Sequence, residues 1–160
     1  MKKRLYIAYG SNLNIEQMAQ RCPTAKLIGT SEIKDYELVF KGVATIEKKK
    51  GSIVPICVWD LKKEDEEALD VYEGYPRLYI KENLRIKLNG KTENAMVYIM
   101  TPSHRLGMPS DHYLNIIAKG YEDNGLDVNV LDEAVKETAR KIEEEREAQS
   151  QSQFNFNWRW

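Results

Sequence analysis

Nine residues near the start, Leu5-Tyr6-Ile7-Ala8-Tyr9-Gly10-Ser11-Asn12-Leu13, constrain this chain more than any other stretch. The first five are apolar, aromatic and partly β-branched with no breaker among them, which reads as a strand. The run stops at Gly10-Ser11-Asn12, residue types that tolerate tight turns, positive φ and local side-chain caps. Asn14 is then placed to cap a helix beginning at Ile15, with Glu16 in the first turn, where negative charge suits the helix dipole. A strand, a glycine-bearing turn and a helix start together aim several backbone N–H groups at one point. Such a cup suits a carboxylate or a developing oxyanion. Taken alone, the same arrangement is also an ordinary βα turn of many folds.

The rest of the chain narrows the classes. Net charge is −1, from 24 basic and 25 acidic residues, so no global field draws the protein to nucleic acid or to a membrane surface. The dense basic run Lys48-Lys49-Lys50-Gly51 separates two strand-like segments, Val43 to Glu47 and Ile53 to Asp60, and reads as a solvated hairpin tip. Pro55 cannot donate to a ladder, so its end of the second segment is expected at an edge or bulge. Ala25 to Phe40 reads as extended, with a bend at Gly29. Leu78 to Leu88 and Glu93 to Met100 form a hairpin about Asn89-Gly90. Helices are expected at Ile15 to Arg21, Lys62 to Tyr72, Asp111 to Asn124 and from Asn129 to about Ile142, with Gly120 weakening the third. No apolar run is long enough to span a bilayer, and the short one after Met1-Lys2-Lys3-Arg4 does not make a signal peptide, so a cytoplasmic protein is expected. Cys57 reads as a small core residue, and whether it pairs with Cys22 is open.

A second stretch speaks to the first. Leu69-Asp70-Val71-Tyr72-Glu73-Gly74-Tyr75-Pro76 closes an acidic helix, with Gly74 placed as a left-handed terminator. Tyr9-Gly10-Ser11-Asn12 and Leu69-Asp70-x-x-Glu73-Gly74 resemble the two signature motifs of the γ-glutamylcyclotransferase-like family. Gly42-Val43-Ala44-Thr45-Ile46, Val58-Trp59, Tyr98-Ile99-Met100-Thr101, Pro109-Ser110-x-x-Tyr113 and Asn124-Gly125-Leu126 follow in the family's order and spacing. The resemblance runs roughly from Arg4 to Arg140. It implies an α+β protein, a small six-stranded β-barrel with helices packed round it, formed by residues 1–142.

The resemblance also implies a reaction. A γ-glutamyl compound attacks its own γ-carbonyl with its α-amine, giving 5-oxoproline and a free amine or amino acid, with no cofactor. Glu73 falls where the family has its catalytic glutamate. Tyr98 and Tyr113 match tyrosines bordering the pocket, and Tyr9, Gly10, Ser11, Asn12 and Leu13 form the substrate-binding stretch. Read from residues alone, Glu73 is the last charge of a Glu-rich helix, and Tyr98 and Tyr113 are equally well core side chains. Tyr72, Tyr75 and Tyr79 around Glu73 would lower local polarity and raise its pKa. Ser11 is not read as a nucleophile, because Gly-x-Ser-x-Gly is absent. His104 and His112 stand without Cys or carboxylate at ligand spacing, so no metal is expected, and Gly10 stands alone where a nucleotide loop needs several glycines. Tyr-Gly-Ser-Asn in place of the Tyr-Gly-Ser-Leu of glutathione-specific relatives points to γ-glutamyl amines, γ-glutamyl amino acids or a γ-glutamyl-protected metabolite. A binding module that kept the pocket without turnover is the alternative.

Residues 143–160 lie outside the resemblance and read as a polar spacer followed by an aromatic tail. Phe154-Asn155-Phe156-Asn157-Trp158-Arg159-Trp160 alternates aromatic and polar residues at period two, the pattern of a strand with one apolar face. It is expected to dock as an edge strand or aromatic anchor, on its own domain or on a second copy in a homo-oligomer.

Overall fold

The computed structural model describes residues 3–158. Strand β1 (Arg4–Ala8) is followed by a 3₁₀ turn at Ser11–Leu13 and by helix α1 (Ile15–Arg21). Strands β2 (Lys26–Lys41) and β3 (Val43–Leu61) come next, then helix α2 (Lys63–Tyr72). Strands β4 (Tyr79–Leu88) and β5 (Lys91–Met100) precede helices α3 (Asp111–Asp123) and α4 (Val128–Asn157). Among the described residues the sheet has five strands in the order β2-β3-β1-β5-β4. Its pairs are antiparallel except β1 with β5, so the sheet is mixed and the fold is α+β.

The expected six-stranded barrel is not what the strands form. β2 and β4 are the free edges, and no ladder among the described residues closes them. They meet through side chains: the Ser31 hydroxyl bonds the Lys87 carbonyl, and a Cβ on Gly29 would sit 3.5 Å from a Leu88 methyl. β2 shifts register between Leu27 and Gly29, where the bend was expected, and again between Lys34 and Tyr36. Such bulges bend and twist a strand and disrupt its pairing.

The hairpin about Lys50-Gly51 is also corrected. Val43–Leu61 is one continuous strand, and the chain reverses between Lys41 and Val43 at Gly42, whose φ is +81°. Gly51, at φ +86°, lies in the second bulge opposite Asp35, at φ +63°, and its N–H is held by the Asp35 carboxylate at 2.9 Å. Two left-handed residues and a local side-chain acceptor are the chemistry of a bulge as well as of a turn. Pro55 lies beyond the β1 ladder, which covers Cys57–Leu61. The other hairpin forms as expected, with Leu88 opposite Lys91 and φ positive at both Asn89 and Gly90.

Gly74 ends α2 at φ +63° with the two bonds of a Schellman motif, Tyr75 N–H to Asp70 at 2.9 Å and Gly74 N–H to Val71 at 3.2 Å. The start of α2 depends on Asp65, which is buried and accepts from the Lys62 N–H and the Thr24 hydroxyl. Gly120, read as a weak point of α3, is where that helix touches the 3₁₀ turn. A Cβ there would lie 2.6 Å from Leu13 and 2.7 Å from Asn14. Cys22 and Cys57 are both free and buried.

The tail is a helix rather than a strand. α4 continues through the spacer to Asn157, and Phe154, Phe156 and Trp158 stand exposed on it. An unpaired strand leaves its backbone groups unbonded, whereas a helix satisfies them internally and propagates once nucleated. Arg140 pairs with Glu137 and Glu144, Arg146 with Glu143, and the rings of Phe154 and Trp158 meet at 5.9 Å, all at helical spacing. Arg159 and Trp160 lie outside the described residues. No described helix is long and apolar enough to cross a membrane.

Candidate active site

A cavity of about 170 Å³ opens beside the 3₁₀ turn, where β1, the start of β3, the end of α2, β4, β5 and α3 converge. Tyr9, Gly10, Ser11 and Asn12 form one side and Glu73 the other, with Tyr79, Tyr98 and Tyr113 between them. The two motifs, about sixty residues apart, therefore share one cavity. Leu13 does not join them: its side chain is fully buried under α3 and belongs to the core.

The turn presents backbone rather than side chains. The N–H groups of Gly10, Ser11 and Asn12 have no protein acceptor among the described residues, although Ser11 and Asn12 are buried. Buried amides of that kind are normally bonded, so the arrangement suits an anionic or carbonyl oxygen from outside the chain. Gly10 adopts φ −124°, so its value is not a left-handed turn but space. A Cβ at Gly10 would sit 3.3 Å from the Ala44 Cβ and 3.5 Å from the Tyr113 hydroxyl, inside the cavity wall. The Asn12 side chain is structural: its amide donates to the Tyr6 hydroxyl at 2.9 Å, and its backbone carbonyl accepts from the Trp59 indole at 3.1 Å.

Each tyrosine hydroxyl of the wall has a partner. Tyr9 donates to the Tyr98 carbonyl at 2.6 Å, and Tyr79 donates to the Ala44 carbonyl at 2.5 Å. Tyr113 accepts from the Ala44 N–H at 3.1 Å, which leaves its proton free to donate. The Tyr98 phenol does not point to the cavity but donates to Asp70 at 2.5 Å. Its ring remains as a wall of the cavity. Asp70 is in turn bound by Lys81 at 2.8 Å, and Lys81 also holds Glu66, which pairs with Arg4. This network anchors α2 to β4 and β1 one turn before Glu73.

Glu73 is the residue following α2, held by its N–H to the Leu69 carbonyl at 2.8 Å. Its carboxyl is partly buried and is pushed up to about 7, because burial among the tyrosines disfavours the charge and the Arg21 guanidinium offsets this only in part. Burial drives Tyr9, Tyr79 and Tyr113 well above the ordinary phenol range, so they stay protonated at neutral pH. Among the cavity's described residues, Glu73 is the group poised to exchange a proton near neutrality. Sequence reasoning missed Tyr6, Ala44 and Arg21. Tyr6 stands in the first strand beside the turn, and Ala44 lies in a matched segment. Arg21 carried no signal beyond its place at a helix end.

A mixed-sheet α+β frame with a carboxyl facing unpaired turn amides defines a small-molecule site of acyl-transfer type. Residues 6–121 match the family described as gamma-glutamyl cyclotransferase, AIG2-like. The chain is 32% identical to the human gamma-glutamylcyclotransferase over 136 residues, covering 76% of this chain and 72% of that protein. The mouse gamma-glutamylcyclotransferase is 31% identical with the same coverage. A solved gamma-glutamyl cyclotransferase structure superposes with a TM-score of 0.75 at 28% identity, covering 83% of this chain and 86% of the other. The chain belongs to the γ-glutamyl cyclotransferase, AIG2-like family.

Proposed function

We propose that this protein is a γ-glutamylcyclotransferase whose proton-transfer group is Glu73. The observation that carries the reading is the Glu73 carboxyl, raised by its burial among tyrosines, facing unpaired turn amides across one cavity. The Glu73 carboxylate takes a proton from the substrate's α-ammonium group, and the freed amine attacks the γ-carbonyl carbon. The ring C–N bond forms and the carbonyl becomes a tetrahedral oxyanion. The N–H groups of Gly10, Ser11 and Asn12 stabilise that charge. As the oxyanion reforms the carbonyl, Glu73 gives its proton to the departing nitrogen and the original amide C–N bond breaks; the regenerated carboxylate then takes the second proton from the new ring nitrogen and passes it to the released amine, which leaves as its ammonium ion. The products are 5-oxoproline and an amine. Nucleophile and electrophile are already one molecule, so binding the cyclising conformer supplies much of the rate.

Tyr9, Tyr79 and Tyr98 shape the cavity, and the Tyr113 proton is directed to the substrate. Asn12 in the first motif favours γ-glutamyl amines or γ-glutamyl amino acids over glutathione. Two free buried thiols suit a reducing compartment such as the cytoplasm. The three exposed tail aromatics suit contact with a second copy. The test is incubation with a panel of γ-glutamyl compounds and measurement of 5-oxoproline. Release from at least one compound, and its loss in Glu73→Gln with substrate binding kept, is expected. Binding without release by the unaltered protein would make it a binding module. A Glu73→Gln variant within tenfold of the parent would remove Glu73 from the proton transfers.

A further inference from the structure

Arg21, the last residue of α1, is partly buried and has no carboxylate within ion-pair distance among the described residues. An unpaired cation in that position needs some other use, because removing it from water is costly. Its guanidinium donates to the Asn12 side-chain carbonyl at 2.6 Å and approaches the Ser11 hydroxyl at 3.4 Å. The same group lies 3.5 Å from the centroid of the Tyr72 ring. The Tyr72 hydroxyl closes the circuit at 3.2 Å from the Ser11 hydroxyl. One side chain thus touches two residues of the 3₁₀ turn and the residue immediately before Glu73.

We infer that Arg21 is a positioning residue that clamps the 3₁₀ turn to the end of α2 and keeps a cation near the Glu73 carboxyl. The inference rests on the proton-transfer role proposed for Glu73, and it explains how two motifs from distant parts of the chain hold a common geometry. The clamp has two separable parts. The planar fork and its stacking on Tyr72 set distance, and a lysine cannot reproduce them. The positive charge acts on Glu73 through space and opposes the burial that holds its proton. The other groups facing Glu73 are phenols that burial keeps protonated, Tyr6 and Tyr9 from β1 and its following turn, Tyr79 from β4 and Tyr113 from α3, with the Tyr72 ring of α2 beside them. The cation is therefore the charge whose removal Glu73 registers.

The experiment titrates the Glu73 side-chain carboxyl by ¹³C NMR in the full chain, with Glu73→Gln identifying the resonance, in the parent, Arg21→Met and Arg21→Lys. Arg21→Met is expected to raise the Glu73 midpoint by about 0.5–1 pH unit, the effect of losing one partly screened charge. Arg21→Lys is expected to keep the midpoint near that of the parent while lowering kcat about tenfold, the order of loss a displaced catalytic group gives. A loss confined to folding would lower stability in both variants and move neither the midpoint nor kcat per folded molecule. An unchanged midpoint in Arg21→Met overturns the electrostatic part, and full kcat in Arg21→Lys overturns the clamp. If Arg21→Met does not fold, Arg21→Gln carries the same test with a polar side chain of similar reach. The titration needs no turnover, so absence of 5-oxoproline release from any compound would count against the proposed reaction and leave this measurement standing.

Discussion

Replacing Glu73 by Gln should stabilise the protein at alkaline pH while abolishing turnover. In the folded protein the carboxyl titrates at about 7 instead of 4.5, so the folded state binds the proton more tightly than the unfolded chain does. A raised carboxyl pKa contributes stability below pH 4.5 that is lost as pH rises through about 7. Once ionised, the group costs the fold about 3 kcal/mol at full effect. Part of that loss is already present at pH 5 and the carboxylate keeps some contact with water, so about 2 kcal/mol is expected to accrue between pH 5 and 8.5. Gln has no charge to desolvate and escapes it. For a chain of this size, about 2 kcal/mol corresponds to roughly 4–8 °C in Tm. The assay is thermal unfolding of the parent and Glu73→Gln in matched buffers at pH 5.0 and 8.5. The Tm advantage of the variant should widen by that amount at the higher pH. An advantage that differs by less than about 1 °C between the two buffers would show that burial does not raise the Glu73 carboxyl, and the proton-transfer reading would lose its physical basis.

Three further outcomes are expected. Gly10→Val should fold yet lose most 5-oxoproline release, because its side chain begins 3.3 Å from Ala44 and grows into the cavity; unchanged kcat/KM in a folded variant would place the ligand elsewhere. Gly120→Ala should destabilise the protein by about 1–3 kcal/mol despite alanine's better helix propensity, since the added carbon meets the Leu13 backbone at 2.6 Å; urea unfolding reads this, and a stabilised variant would refute the close approach. Removing residues 150–160 should reduce self-association measured by light scattering while leaving release per subunit intact, because residues 150–158 are exposed; an unchanged particle size would show that the tail aromatics do not join copies.

Elements built by neighbouring residues were legible in the sequence. The strand, turn and helix of residues 5–21, the left-handed stop at Gly74 and the Asn89-Gly90 hairpin depend on caps, φ preferences and short periodicities, all local properties. The place of Glu73 opposite Gly10 was legible too, through the resemblance of two motifs, although no local rule brings residues so far apart together.

The rest was decided by contacts that no window of sequence contains. Gly51 carries the same turn chemistry whether it tips a hairpin or sits in a bulge, and its partner strand chose the bulge by pairing across it. The aromatic alternation of 154–158 matched a strand, but no edge pairs with it there, so an already propagating helix took those residues. Gly120 reads as a flaw in a helix until Leu13 lies against it. The Tyr98 phenol found Asp70 instead of the cavity, and Arg21 acquired its place only when Asn12 and Tyr72 closed on either side. Local preferences set which conformations each segment can adopt at low cost. Burial, pairing and the need to satisfy every buried polar group select among them, and those demands exist only after distant segments meet.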